Sequence, residues 1–179
     1  MEKKHVLLIG DHVPYVRYAK DLGLDVTLFQ SPERFHLIDP SLCESVHIVN
    51  FNETVLAVKL AETIHSTAPF DAIWTFTEQA VEITSLVAGE LNFPRIPYET
   101  VQLAQDKSKF RKCLNDHGLS TVAFMQSDRM DEIRRFCMEV GYPVVAKPVD
   151  GAGSKNVFII ENERELEYVF QEHNQFSRY

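Results

Sequence analysis

The sequence has few cysteines and no hydrophobic segment long enough to span a membrane. Its three cysteines, Cys43, Cys113 and Cys137, are widely spaced in a chain of 179 residues, which favours neither a disulfide framework nor a zinc site. The apolar runs are all shorter than the roughly 20 residues that cross a bilayer. The start Met-Glu-Lys-Lys leads into a strand rather than into the apolar core of a signal peptide. We therefore expect a cytoplasmic protein with no membrane partner.

An excess of basic residues is also missing. The net charge is −8, and residues 1–100 carry 7 Lys and Arg against 14 Asp and Glu, whereas residues 101–179 carry 11 against 12. Because the chain is acidic and has no basic stripe with interleaved aromatics, binding to nucleic acid is not expected. The shift in charge near residue 100 predicts two domains, 1–100 and 101–179.

A dinucleotide-binding fingerprint is absent too. The first predicted strand is followed by Gly-Asp-His-Val-Pro at 10–14, which does not have the glycine spacing that NAD-binding loops require. The seven histidines do not show metal-ligand spacing. No metal-ligating or catalytic residue is therefore assigned from spacing.

The first hundred residues alternate between predicted strands and helices, and this alternation predicts an open parallel sheet. The predicted strands cover residues 5–9, 25–29, 46–51 and 71–76. Ligands of such sheets bind beyond the carboxyl ends of the strands. Glu78 follows the fourth strand and begins a helix, where the helix dipole favours a carboxylate. Glu78 is therefore either a helix-capping group or a candidate on the substrate side of a cleft.

A smaller α+β unit is predicted after residue 118. It has strands at 120–126, 142–147 and 157–160, with a helix between the first two. Asn162 and Glu165 have the spacing of a capping box and begin a last helix.

A lysine also begins the helix that precedes this unit. Asp106 is a natural N-cap residue, which places Lys107 in the first turn of the helix. A cation is disfavoured there by the helix dipole. Lys107 therefore indicates either a ligand requirement or a chance surface position.

Lys147 ends an apolar strand, and a glycine-containing loop follows it immediately. The lysine supplies a point charge, and Gly151 and Gly153 allow the backbone of the loop to approach a ligand closely. Backbone N–H groups in such a loop suit the oxygens of a polyphosphate. The alternative is a simple hairpin turn between two strands.

Together these motifs resemble the ATP-grasp superfamily. The resemblance is carried by Asp-Lys at 106–107, Gly-Leu at 118–119, Gly-Tyr-Pro-Val-Val-Ala-Lys-Pro at 141–148 and the Gly/Ser loop after it. It covers about residues 70–160 well and the residues before them loosely. It implies a Rossmann-like pre-ATP-grasp domain followed by the first ATP-grasp subdomain of a carboxylate–amine ligase, similar to L-amino-acid ligases and biotin carboxylase.

The resemblance also implies the site residues and the cofactors. Lys107 and Lys147 would contact the phosphates of ATP. The loop that closes over the nucleotide would include Gly151, Gly153, Ser154, Lys155 and Asn156. The magnesium ligands and the adenine-binding glutamate of this family lie in its second half, so they are expected outside this chain. The chain is accordingly expected to be the front portion of a longer enzyme.

The loop departs from the family pattern at one position. Many relatives have Gly-Ser-x-Gly-Val, whereas this chain has Gly-Ser-Lys-Asn-Val at 153–157. Asn tolerates left-handed backbone angles better than most residues, so Asn156 is predicted to replace that glycine. Lys155 either helps to neutralise phosphate or is a solvated turn residue.

The implied reaction activates a carboxylate as an acyl-phosphate for attack by an amine, so the partners are small-molecule carboxylate and amine substrates. Whether the chain alone is an enzyme is left open, as is a homo-oligomeric state. One alternative is a truncated or stand-alone non-catalytic module that binds a nucleotide or a partner. A second is an enzyme of the biotin-carboxylase or purine-pathway type.

Overall fold

Four parallel strands form the sheet of the first unit in the computed structural model, which describes residues 3–148 and 156–173. The chain divides into two units, Met1–Gln102 and Leu103–Tyr179. The strand order is β3-β2-β1-β4, and every neighbouring pair is parallel. The strands are β1 (His5–Ile9), β2 (Asp25–Gln30), β3 (Ser45–Ile48) and β4 (Ala72–Trp74).

Helices cover both faces of this sheet, as the alternating pattern predicts. Helix α1 (Val13–Asp21) packs on one face, and α2 (Thr54–Thr67) and α3 (Val81–Glu90) pack on the other; α4 (Tyr98–Gln105) follows them in the chain. Short 3₁₀ turns lie at Pro32–Leu37, Pro40–Leu42 and Glu78–Ala80. None of the helices in the described residues is long and apolar enough to cross a membrane.

The core of the first unit has two layers because successive side chains of a strand point to opposite faces. Leu7 and Ile9 of β1 pack with buried residues of α2 and α3. Val6 and Leu8 face the other way and pack with Val16 of α1. Strands that are buried on both faces explain the continuous apolar runs in the sequence.

The second unit has a two-stranded antiparallel sheet and helices that pack against it. Its elements are α5 (Lys107–Asp116), α6 (Met130–Val140), β5 (Val144–Ala146), β6 (Phe158–Ile160) and α7 (Glu163–His173). Its buried centre consists of Cys137, Ile160 and Leu166, one each from α6, β6 and α7. The predicted fold class, an open parallel sheet followed by a small α+β unit, is confirmed.

The strand predicted at 120–126 is wrong, because no strand is assigned to these residues in the structure. Val122 shows the physical reason. Its C=O accepts a hydrogen bond from the Asn115 side chain (3.1 Å), and its N–H donates to the Ser120 hydroxyl (3.2 Å). Side chains close by in the sequence therefore satisfy this backbone, which forms no strand ladder in the described part of the chain.

Candidate functional site

The first candidate site lies where the strand order of the parallel sheet reverses. From β1 the chain moves to β2 and then β3 on one side, and β4 lies on the other side of β1. The segments that leave the carboxyl ends of β1 and β4, residues 10–15 and 75–80, therefore meet at a topological switch point. Ligands of open α/β sheets bind in the crevice at such points.

Asp11 ties these two segments together. Its side chain is fully buried, and its Oδ1 atom accepts the backbone N–H of Phe76 at 2.8 Å. The Thr77 hydroxyl lies 2.9 Å from the Gly10 carbonyl oxygen and 3.3 Å from Asp11 Oδ1. The strand predicted at 71–76 ends at Trp74 because the backbone of Phe76 bonds this carboxylate instead of a neighbouring strand.

The electrostatic state of Asp11 is unusual. Burial raises the pKa of its carboxyl group to about 6, although the Phe76 N–H and the Thr77 hydroxyl act in the opposite direction. The Oδ2 atom is buried and has no hydrogen-bond partner among the described residues. The Nδ1 atom of the next residue, His12, is also buried and lacks such a partner. Two unpartnered polar atoms in succession indicate an incomplete polar site.

Gly10 makes this close approach possible. Its backbone has φ +76°, a left-handed conformation that favours glycine. A Cβ atom at this position would lie 2.8 Å from the Cβ of Ala80 and 3.2 Å from the Phe51 ring. The segments after β1 and β4 could not pack together in this way with a larger residue at position 10.

Glu78, the predicted substrate-side residue, lies on this crevice segment. It is exposed and begins the 3₁₀ turn Glu78–Ala80 that leads into α3. Glu78 therefore lies after β4, as expected. It begins a 3₁₀ turn, however, and not the α-helix that was predicted. Its role as a substrate-binding residue stays a prediction.

Aromatic rings surround the same segments. Tyr15 in the first turn of α1 stacks on Phe76, with ring centroids 4.7 Å apart and planes 15° apart. Trp74 lies 6.4 Å from Phe76, and His12 lies 6.3 Å from Tyr15. The stack joins the segment after β1 to the segment after β4.

The second candidate site, in the second unit, includes Lys107. Asp106 caps α5, and its Oδ1 atom accepts the backbone N–H groups of Ser108 (3.0 Å) and Lys109 (2.9 Å). These bonds, the one from Lys109 foremost, lower the pKa of Asp106. The predicted cap is confirmed, and it places Lys107, which is partly buried, as the first residue of the helix.

Lys147 and Asn156 lie at one end of the β5–β6 hairpin. The last pair of the register joins Ala146 to Phe158, so the chain leaves β5 at Lys147 and returns through Asn156 and Val157. Asn156 has φ +56°, which confirms the predicted left-handed backbone. Lys147 is exposed. The hairpin thus brings Lys147 and Asn156 to the same edge of the second unit.

The other predicted loop residues, Gly151, Gly153, Ser154 and Lys155, lie outside the described residues. No group of three or more His, Cys, Asp or Glu that could hold a metal ion occurs in residues 3–148 and 156–173.

Asp11 and its aromatic neighbours were missed by the sequence reasoning. The sequence of residues 10–14 excludes a dinucleotide fingerprint and predicts no other role for them. The available signal was a carboxylate two residues beyond a buried strand, at the end of the sheet where ligands bind. The contact between Asp11 and Phe76 spans 65 residues, and nothing in the local pattern indicates it.

Two family models match the chain. Residues 16–95 match the ATP-grasp N-terminal domain, and residues 106–178 match the ATP binding domain of the carbamoyl-phosphate synthase L chain. The chain therefore belongs to the ATP-grasp superfamily and is similar to the ATP-binding module of its ligases.

A curated relative and a solved structure agree with this assignment, and a second solved structure shares the fold. The chain is 26% identical over 167 residues to the N-terminal section of the carbamoyl phosphate synthase large chain from Methanopyrus kandleri, covering 89% of this chain and 29% of that one. It superimposes on an L-amino acid ligase from Bacillus licheniformis with a TM-score of 0.75 and 26% identity, covering 96% of this chain and 42% of that one.

The second structure is an N5-carboxyaminoimidazole synthetase from Staphylococcus aureus complexed with ADP. Its TM-score is 0.74 at 20% identity, and the match covers 95% of this chain and 45% of that one. This similarity shows a shared fold. The chain spans less than a third of the length of the curated relatives it matches and less than half of these solved structures.

Proposed function

We propose that the chain supplies the phosphate-binding part of an ATP-dependent carboxylate–amine ligase. A carboxylate oxygen of the first substrate attacks the γ-phosphorus of ATP, ADP leaves, and an acyl-phosphate forms. The nitrogen of an amine then attacks the acyl carbon, phosphate leaves and the amine loses a proton. Catalysis of the first step depends mainly on positioning and on charge stabilisation of the phosphoryl group.

The hairpin end with Lys147 and Asn156 carries this proposal. A lysine that leaves a strand directly into a loop can place its ammonium on phosphate oxygens while the backbone of the loop folds over them. The left-handed Asn156 returns the chain to β6. Lys107 would add a second cation from the start of α5.

The same hairpin offers an apolar surface for the adenine ring. Val145 and Ile159 are paired across the two strands, and both are exposed. Their neighbours Val144 and Ile160 point to the opposite face, where Ile160 is buried against α6 and α7. An uncovered apolar pair beside the phosphate-binding end is the arrangement that a purine ring needs, and the ADP complex of the S. aureus synthetase has the same fold.

The family similarities do not favour the alternatives of a non-catalytic module or of an enzyme of the biotin-carboxylase or purine-pathway type. Magnesium would accompany ATP.

Substitution of Lys147 tests the proposal. In the intact protein, Lys147→Ala should weaken ATP binding by about 1.5–3 kcal/mol, a tenfold loss or more, because a charge-assisted contact to phosphate is removed. Isothermal titration calorimetry with ATP measures this change. Lys107→Ala should act in the same direction.

Lys112→Ala is the matched control. Lys112 lies on α5, is exposed and pairs with Asp116 at 2.9 Å, so its loss should leave ATP affinity unchanged. An ATP affinity that is the same in Lys147→Ala and in the wild type would refute the phosphate role of Lys147 and with it the proposed site.

A further inference from the structure

The crevice beyond the carboxyl ends of β1 and β4 has an aromatic wall that the phosphate site does not use. Tyr15 is 36% exposed, Trp74 is 55% exposed and Phe76 is 58% exposed, although all three are large apolar rings. The stacked pair of Tyr15 and Phe76 bridges the two segments at the switch point. Exposed aromatic rings that are held in fixed contact form a preorganised binding surface.

The charge of the same segments indicates the charge of the ligand that they would bind. Residues 10–15 and 75–80 contain Asp11 and Glu78 but no Lys or Arg. Residues 1–100, which include both segments, carry twice as many acidic as basic residues. A carboxylate or phosphate ligand would therefore meet unfavourable charge here, whereas a cation would meet favourable charge. The faces of aromatic rings also attract cations.

The buried polar atoms beside the rings point the same way. Asp11 Oδ2 and His12 Nδ1 have no hydrogen-bond partner among the described residues. An unpartnered carboxylate oxygen needs a donor, and a protonated amine has only donors. An amine in the crevice would lower the energetic cost of keeping the Asp11 carboxylate ionised in a buried position.

We propose that this crevice binds a protonated amine with an attached aromatic or aliphatic group, the apolar part lying on the Tyr15–Phe76 stack. The amine would lie on the acidic side formed by Asp11 and Glu78. This inference rests on the proposed function, because it names the class of the amine substrate of that ligase. It goes further because it proposes that the three rings of the aromatic wall determine which amines the protein accepts.

Trp74 makes the test direct, because it is the only tryptophan of the chain and belongs to the aromatic wall. Phenethylamine is titrated into the full chain without ATP while the fluorescence of Trp74 is followed. The anion 3-phenylpropionate, which has a ring and a similar length but the opposite charge, is titrated in parallel. A saturable change with the amine and at least tenfold weaker binding of the anion are expected.

Phe76→Ala should weaken phenethylamine binding at least tenfold. The matched control is Phe35→Ala. Phe35 is also an exposed phenylalanine of the first unit (46% exposed), but it lies after β2 and not after β4. Asp11→Asn provides a second variant that keeps an acceptor for the Phe76 N–H and removes the charge. It should also weaken binding of the amine, and circular dichroism confirms that each variant is folded.

Equal binding of the amine and the anion, or unchanged affinity in Phe76→Ala, would overturn the inference. The Lys147 titration with ATP separates this failure from a failure of the proposed function. If ATP binds and the amine does not, the proposed phosphate site is supported and the proposed amine site is refuted. If the amine binds and ATP does not, the proposed amine site is supported and the proposed phosphate site is refuted.

Discussion

A buried carboxylate with one unpartnered oxygen destabilises a fold unless something compensates for it. Asp11 is such a group, and among the described residues the Phe76 N–H and the Thr77 hydroxyl lie close to Oδ1 whereas Oδ2 has no partner. The raised pKa of Asp11 expresses this cost, because burial favours the neutral acid. Residues that cost stability are expected at binding sites, where the ligand supplies the missing partner.

Asp11 therefore gives the protein a defined pH dependence. Its pKa is about 6 in the folded state against an ordinary value of 3.8, so the folded state binds more protons than the unfolded state between these values. The free energy of unfolding should then fall as the pH rises from about 4 to about 6. A difference of about two pKa units corresponds to about 3 kcal/mol.

Asp11→Asn should abolish this dependence, since its amide does not ionise. The stability of the variant relative to wild type should rise by about 2.5 kcal/mol between pH 4 and pH 8, measured by urea unfolding. Asp39→Asn is the control, because the Ser41 hydroxyl and N–H lower the pKa of Asp39, and its relative stability should not rise. A constant difference between Asp11→Asn and wild type across this range would contradict the assignment.

At the residue scale, local chemistry could be predicted and long-range contacts could not. The Asp106 cap and the left-handed Asn156 follow from the preferences of single residues and their nearest neighbours, and both are present. The role of Asp11 depends on a backbone group 65 residues away. No periodic pattern encodes such a pairing, which only the sheet topology brings about.

At the scale of elements, the capping box of α7 is a confirmed prediction. Asn162 Oδ1 accepts the backbone N–H of Glu165 (3.1 Å), and the Glu165 carboxylate accepts the N–H of Glu161 (2.9 Å) and the Asn162 amide (2.9 Å). The first of these bonds satisfies a donor that the first turn of a helix leaves unpaired, and the other two hold the Glu165 carboxylate against the residues that precede the helix. They also position α7, whose Leu166 is buried in the core of the second unit.

Loss of this cap should destabilise the second unit. Asn162→Ala is expected to cost about 1 kcal/mol, as is typical of N-cap replacements, and urea unfolding followed by circular dichroism measures it. Asn52→Ala is the matched control. Asn52 lies just before α2, but the N-cap of α2 is Glu53 and makes no side-chain cap bond, so Asn52→Ala should be neutral. Equal effects of the two substitutions would show that the box at α7 adds nothing specific.

Helices and strands with a regular spacing of apolar residues could be predicted from the sequence. Elements that depend on contacts between distant side chains could not. Helix α4 has no counterpart in the sequence-based prediction. Its first residue, Tyr98, donates a hydrogen bond to Glu82 of α3 (2.8 Å), a contact between two separate elements. The false strand at 120–126 is the converse case, because an extended segment becomes a strand only where a partner strand is available.

At the scale of the whole molecule, the charge and the buried clusters are both distributed by unit. Two of the buried clusters consist of residues between Val6 and Phe93, and the third consists of residues between Met130 and Val169. Most of the net negative charge belongs to the first hundred residues, which contain the proposed amine crevice. The second part is nearly neutral, and it contains the lysines proposed for phosphate. Each unit thus combines its own core with an electrostatic character that fits the ligand proposed for it.

A separate core predicts independent folding of the first unit. A fragment of residues 1–105, which keeps α4 complete, should unfold in urea in a single cooperative transition, because both of its apolar layers are included and about 100 residues can bury a sufficient core. The fluorescence of Trp74 follows this transition. The urea concentration at the midpoint should be the same for the fragment and for the full chain. A fragment of residues 1–74, which retains the four strands but lacks α3, is the control and should not fold, since Ile83, Val87 and Ala88 are missing from one layer. A non-cooperative transition of the 1–105 fragment would mean that the core of the first unit depends on residues beyond it.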